Sequence, residues 1–328
     1  MMAHGGLKLG SQHIRMAAIF AAIHLTFSTP ITRASDKEFN CAEQEVQINI
    51  GRDAFYSRNL SHDNRVSCAN CHNPLNFYGD NLPRAQARSL TLLRNTPTLL
   101  NIALYRRFFW DARADSLQAQ IHEPLFAPLE IGSSTTLIQN FIDGYNLPST
   151  NMAKESATTI LISSIKKFLL CEVTTKKTIA ENKTLRGKLA NSAKEGERIF
   201  NQSKCVNCHR PPTYTDNKLH DIGLERIPLV EQITETSGIT TRSYVPDAGA
   251  GNSKSGQDNY YAFRTPSLIN IAITPPYMHD GRFNSLDEAI LNHGSTDKAK
   301  LSKKDMTNIK VYLNSLTDER YLNKITWP

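Results

Sequence analysis

Two five-residue segments constrain this chain more than any other feature: Cys68-Ala69-Asn70-Cys71-His72 and Cys205-Val206-Asn207-Cys208-His209. A Cys-x-x-Cys pair alone fits a redox dithiol or half a zinc site, but an immediately following histidine marks covalent attachment of a c-type haem. On a helical turn, positions i and i+3 share a face. Cys68 and Cys71, or Cys205 and Cys208, can therefore reach the two vinyl groups of one porphyrin, while His72 or His209 offers an imidazole to the iron. The pattern occurs twice, so two haem c groups are predicted, and four of the six cysteines are withdrawn from disulfide chemistry. Cys41 and Cys171 remain, as a disulfide or as two buried thiols. The protein sets haem chemistry through axial ligand, surroundings and solvent access, so function turns on the sixth position of each iron.

The two motifs sit in a repeated framework. Gly51 to Phe55 precedes the first and Gly196 to Phe200 the second, each reading as a short helix with inward apolar residues. Downstream, Arg94-Asn95-Thr96-Pro97-Thr98-Leu99-Leu100-Asn101-Ile102-Ala103 is echoed by Arg264-Thr265-Pro266-Ser267-Leu268-Ile269-Asn270-Ile271-Ala272. With Thr96 aligned on Thr265, Asp111 falls on Asp280, Arg113 on Arg282 and Ser116-Leu117 on Ser285-Leu286, without a gap. Ser116 and Ser285 have the character of N-caps, which predicts a helix after each. The fold expected is mainly α: two cytochrome c-like domains, residues 35–185 and 186–328, related by internal duplication and each carrying one haem c.

The same register predicts an asymmetry. Seven residues beyond Leu286 stands His293, whereas seven beyond Leu117 stands Pro124, which cannot ligate a metal. Haem two is then closed by His209 and His293, with Met278 the main rival for the outer position and His279 a lesser one. Haem one is held by His72 alone and keeps an open position. A closed haem suits storing and passing electrons; an open one suits binding a small ligand such as peroxide.

Residues 1–34 carry Lys8, Arg15 and Arg33 and no acid, followed or interrupted by the 12-residue apolar run from Met16 to Phe27. This is the pattern of a secretory signal, too short to span a bilayer comfortably, with cleavage expected near Ala34. An uncleaved anchor is the competing reading. The formal charge of +7 includes those three bases. No Lys/Arg stripe with interleaved aromatics accompanies it, so nucleic acid is not an expected partner.

Taken together, these residues resemble the bacterial dihaem cytochrome c peroxidase and MauG superfamily. The likeness is carried by Gly51 to Phe55, Ser67 to His72, Arg94 to Pro97, Phe109-Trp110-Asp111-Ala112-Arg113, Glu123 to Gly132 and Thr274 to Arg282, and extends from about residue 45 to about residue 315. The resemblance implies that Glu130 is the acid–base carboxylate above the peroxide-reactive haem, that Gln120 is a pocket amide and that Trp110 lies between the haems as an electron relay. It also implies a calcium ion near Asn95, Thr274 and Pro276. Two departures stand out. The loop from Asn73 to Arg94 holds no histidine, the residue that blocks the reactive iron in family peroxidases requiring reductive activation. His293 stands where family peroxidases place methionine and MauG tyrosine, and histidine lowers the potential relative to methionine.

The expectation is therefore a periplasmic peroxidase that reduces hydrogen peroxide to water, drawing electrons from a small cytochrome c or cupredoxin. A MauG-like enzyme that oxidatively modifies a residue on a partner protein is the alternative, and a non-catalytic dihaem electron carrier a second. A homodimer is compatible with all three.

Overall fold

A computed structural model describes residues 40–88, 90–147, 154–175, 190–236, 239–252, 258–293 and 301–324. The signal-peptide reading of residues 1–34 lies outside them. All described residues fall within one compact unit, 31–328.

Two helix pairs organise it. In the first half, α1 (Glu45–Tyr56) leads into the short α2 (Cys68–Cys71), then α3 (Leu117–Phe126), α4 (Thr135–Asp143) and α5 (Ala157–Phe168). In the second half, α6 (Ala190–Gln202) is followed by the 3-10 turn Cys205–Asn207, then α7 (Leu286–Asn292) and α8 (Lys303–Ser315). The first helix of each half crosses the last at a glycine. A methyl group on Gly51 would run into the backbone carbonyl of Ser164 on α5, and one on Gly196 into that of Asn308 on α8. Only a residue without a Cβ lets two helix backbones come so close. Separate apolar clusters gather around these crossings, one on Ile50, Phe55, Leu161 and Phe168, the other on Phe200, Ile309, Leu313 and Leu316.

The shift of 169 positions that carries Thr96 to Thr265 persists in three dimensions. The 3-10 turn Ile102–Leu104 has its counterpart in Ile271–Ile273, and the bridge Phe108 to Ala114 in Tyr277 to Phe283. Ser116 and Ser285 each accept, through the side-chain oxygen, an N–H three residues on, so both predicted N-caps are formed. Arg113 pairs with Asp111 as Arg282 pairs with Asp280.

Short antiparallel ribbons decorate this helical frame. They are β1 (Gln86–Ala87) with β2 (Leu90–Thr91), β3 (Leu219–His220) with β6 (Phe263–Arg264), and β4 (Pro228–Thr236) with β5 (Ile239–Pro246). Cys41 and Cys171 form a disulfide that ties the segment before α1 to the π turn Leu169–Val173 after α5. Closing a loop of 130 positions removes much of the unfolded chain's freedom. No described helix is long and apolar enough to cross a membrane.

The halves are joined by buried polar contacts. Arg94 donates to both carboxylate oxygens of Asp247, at 2.7 and 2.9 Å, and to Asp111 at 2.7 Å. Burial alone would raise the Asp247 carboxyl, yet the paired Arg94 holds it below its usual range. Asn101 and Asn270 are fully buried and hydrogen-bonded to each other at 3.1 Å.

Candidate haem sites

Each attachment motif folds into one tight turn. The His72 N–H bonds the Cys68 carbonyl at 2.8 Å, and the His209 N–H bonds the Cys205 carbonyl at 2.9 Å. The imidazoles are oriented identically: Nδ1–H of His72 donates to the Tyr78 carbonyl at 3.1 Å, and Nδ1–H of His209 to that of Tyr214 at 3.2 Å. A carbonyl can only accept, so it fixes the proton on Nδ1 and leaves the Nε2 lone pair free for a metal. Burial holds both rings below their usual pKa, His209 down to about 4, where the neighbouring His293 adds to the effect. Both are thus neutral at physiological pH, the form that ligates iron. None of the four motif cysteines is drawn into a disulfide.

The second motif opens onto a large cavity lined by Cys205, Cys208, His209 and His293 together with apolar residues such as Leu268 and Leu313. His293, the C-cap of α7, faces His209 with ring centroids 6.3 Å apart and planes at 65°. Two imidazoles sharing one metal, each through a bond of about 2 Å, stand at this kind of separation. Two cysteines outside any disulfide, a histidine with a free ring nitrogen, an apolar cleft and a second imidazole across it make a donor set that fits a covalently bound haem. Met278 lines the same cavity with a left-handed backbone, φ +74°. His279 lines it as well and is stacked on Phe263, with 3.7 Å between ring centroids and 11° between planes.

Around the first motif the arrangement differs. Pro124 lies inside α3, and its carbonyl accepts the Ile131 N–H at 3.2 Å as the chain turns back. That turn delivers Glu130, half-buried and making no side-chain hydrogen bond to another described residue, within electrostatic reach of both Cys68 and Cys71. Burial raises its carboxyl above the usual range, the Arg113 charge opposes this, and Glu123 adds to the rise. Arg113 lies flat on the Phe109 ring at 3.5 Å and donates to Glu123 at 2.8 Å. Gln120 sits partly buried on the same helix. His122 is exposed and packs on Phe126, with the ring planes tilted by 39°.

Trp110 lines the second cavity from the first half. Its indole N–H donates to the Asn95 carbonyl at 2.9 Å, and its own carbonyl accepts from Arg264 at 2.7 Å. Asn95, Thr274 and Pro276 line that cavity too. Asn95 also donates its side-chain amide to the Leu82 carbonyl, and Thr274 its hydroxyl to that of Asn270. His220 pairs with Asp216 at 2.8 Å near Cys208. Sequence reasoning missed Arg88, whose side chain touches the backbone of Glu130; its partners lie 25 to 43 positions away, beyond any local pattern.

Comparison with known proteins points to a family. Residues 45–160 match the family model for di-haem cytochrome c peroxidase. The methylamine utilization protein MauG of Methylorubrum extorquens is 32% identical over 260 residues, which is 75% of this chain and 68% of that protein. Cytochrome c551 peroxidase of Pseudomonas aeruginosa is 26% identical over 288 residues, 84% of this chain and 80% of its own. Among solved structures, the diheme peroxidase BthA from Burkholderia thailandensis superimposes with a TM-score of 0.66 at 21% identity, over 85% of this chain and 88% of that one.

Proposed function

Because this chain belongs to the di-haem cytochrome c peroxidase family, we propose that it reduces hydrogen peroxide to water with electrons from a small redox protein, a cytochrome c or a cupredoxin. Two cytochrome c-like domains, 35–185 and 186–328, each hold one haem c, through Cys68, Cys71 and His72 and through Cys205, Cys208 and His209. The observation that carries the reading is the contrast between the halves. His293 faces His209 across its cleft, whereas α3 has Pro124 at the corresponding position and then brings a half-buried carboxylate toward the first motif.

When bound, the haems supply the iron redox chemistry that cleaves the O–O bond. The chain supplies the rest. Glu130 takes the proton from the inner oxygen of peroxide and returns it to the outer one, so that water can leave. Its raised pKa brings it closer to the pH at which a shuttle both accepts and donates. Gln120 orients the ligand, and Trp110 offers an aromatic ring between the two sites. A calcium ion near Asn95, Thr274 and Pro276 would be bound through carbonyl oxygens and waters. The basic and apolar pattern of residues 1–34 supports export to the periplasm, and a homodimer is compatible with this reading.

A MauG-like oxidation of a partner protein is the second reading. It is favoured by the lack of any histidine between Asn73 and Arg94. Electron paramagnetic resonance of the ferric holoprotein tests the shared premise: one high-spin and one low-spin haem are expected, with cyanide binding the first. Two low-spin haems that both ignore cyanide would refute it. Steady turnover of peroxide with reduced cytochrome c then selects the peroxidase, and rapid peroxide reaction without turnover of soluble donors selects the MauG-like enzyme.

A further inference from the structure

Arg88 follows β1 with a left-handed backbone, φ +59°, a conformation that turns usually give to glycine, asparagine or aspartate. An arginine there costs conformational energy that its side chain must offset. That side chain is 15% exposed and reaches two separate segments, 61–63 and 130–131. It forms an ion pair with Asp63 and donates to Ser61 Oγ at 3.3 Å and His62 Nδ1 at 3.2 Å. The same Nη2, whose two hydrogens are shared among these acceptors, lies within hydrogen-bond distance of two successive carbonyls, Glu130 at 3.0 Å and Ile131 at 3.3 Å. The loop at 61–63 presses on the same place from the other side. Gly132 has φ +64°, and a Cβ there would run into the His62 ring.

Carbonyl 130 belongs to the peptide group that follows the Glu130 Cα, and carbonyl 131 to the next one. Holding both through one guanidinium fixes the backbone from which that carboxylate projects. We infer that Arg88 is a positioning residue for Glu130, a clasp that keeps the proton-carrying carboxylate aimed at the peroxide site in the resting ferric protein. The inference rests on the assignment of Glu130 as proton carrier. It is a geometric role, because Asp63 neutralises the guanidinium and the charges acting on Glu130 are those of Arg113 and Glu123.

The test uses the ferric holoprotein and follows its bimolecular reaction with hydrogen peroxide across pH, alongside amide hydrogen exchange of residues 128–133. Arg88→Ala should slow the reaction roughly ten- to a hundredfold, the scale expected of a misplaced catalytic group. It should speed exchange in that segment and leave the pH midpoint in place. Arg88→Lys keeps the charge near Asp63 but lacks the fork, so it should not restore the rate; it replaces Arg88→Ala if that variant does not fold. An unchanged rate and exchange in the Arg88 variant, with Glu130→Gln slow, overturns the clasp alone. A shifted pH midpoint overturns it in favour of a charge effect. Wild-type reactivity in Glu130→Gln overturns the assignment of Glu130 itself, and the clasp with it.

Discussion

The imidazoles of His209 and His293 meet across the second cleft with centroids 6.3 Å apart and planes inclined at 65°. That spacing leaves room for one metal between the two rings, which is the arrangement the proposed function requires. His293→Ala is expected to convert the low-spin haem to high-spin and raise its potential, with both haems still attached. Met278→Ala should leave the low-spin signal in place. Optical and paramagnetic spectra of the two variants decide; loss of the signal in Met278→Ala alone would reassign the ligand.

For Glu130, replacement by Gln removes the proton carrier and keeps the shape, so the peroxide reaction should slow about 10²–10⁴-fold. The stability effect runs the other way. Burial raises the folded-state pKa of this carboxyl, so its favourable contribution is present below the ordinary carboxylate pKa and is lost as pH rises through the folded value. Glu130→Gln should therefore melt higher than the parent at neutral pH, and the difference should vanish in acid. A Tm difference of the same size at both pH values would contradict the burial argument.

Arg113 opposes the effect of burial on Glu130. Arg113→Gln should raise the pH at which the peroxide reaction reaches half its maximum, because a less stabilised carboxylate holds its proton longer. A stopped-flow pH profile that overlays the parent's would show that the Arg113 charge, lying on Phe109, does not reach the carboxylate.

Gly196→Ala puts a methyl group into the Asn308 backbone where α6 crosses α8. Since a helix backbone cannot step aside as a side chain can, the cost should be at least about 1–3 kcal/mol. Denaturant unfolding of the holoprotein measures it. Ala at Gly144, whose nearest neighbour for a Cβ is the Phe141 carbonyl at 3.4 Å, serves as the tolerant comparison.

Much of this architecture was legible because its signals are local or periodic. The attachment motifs are five-residue units, and the shift from Thr96 to Thr265 predicted the two serine caps and aligned the residues that form the repeated Asp–Arg pairs. What sequence left open depends on contacts between distant positions. Cys41 and Cys171 were either a disulfide or two thiols until the ends of their 130-position loop were brought to a Cα separation of 5.9 Å. Arg88 carries no motif, and only the approach of the 61–63 and 130–132 segments gives it a purpose. The β4–β5 ribbon had a readable signal that went unused: β-branched residues on both sides of Ser237-Gly238, a turn-favouring pair.

Asn101 and Asn270 occupy the same place in the repeat, and they hydrogen-bond to one another. A residue that touches its own equivalent is what a two-fold axis produces, as in an isologous dimer. The boundary between the halves has the logic of a symmetric pair of subunits joined into one polypeptide. Fusion frees such a pair from having to stay identical. One copy can close its metal with a histidine while the other opens its own, and a mutation alters one site without being imposed on both. A symmetric homodimer of a single-haem protein cannot make that division of labour.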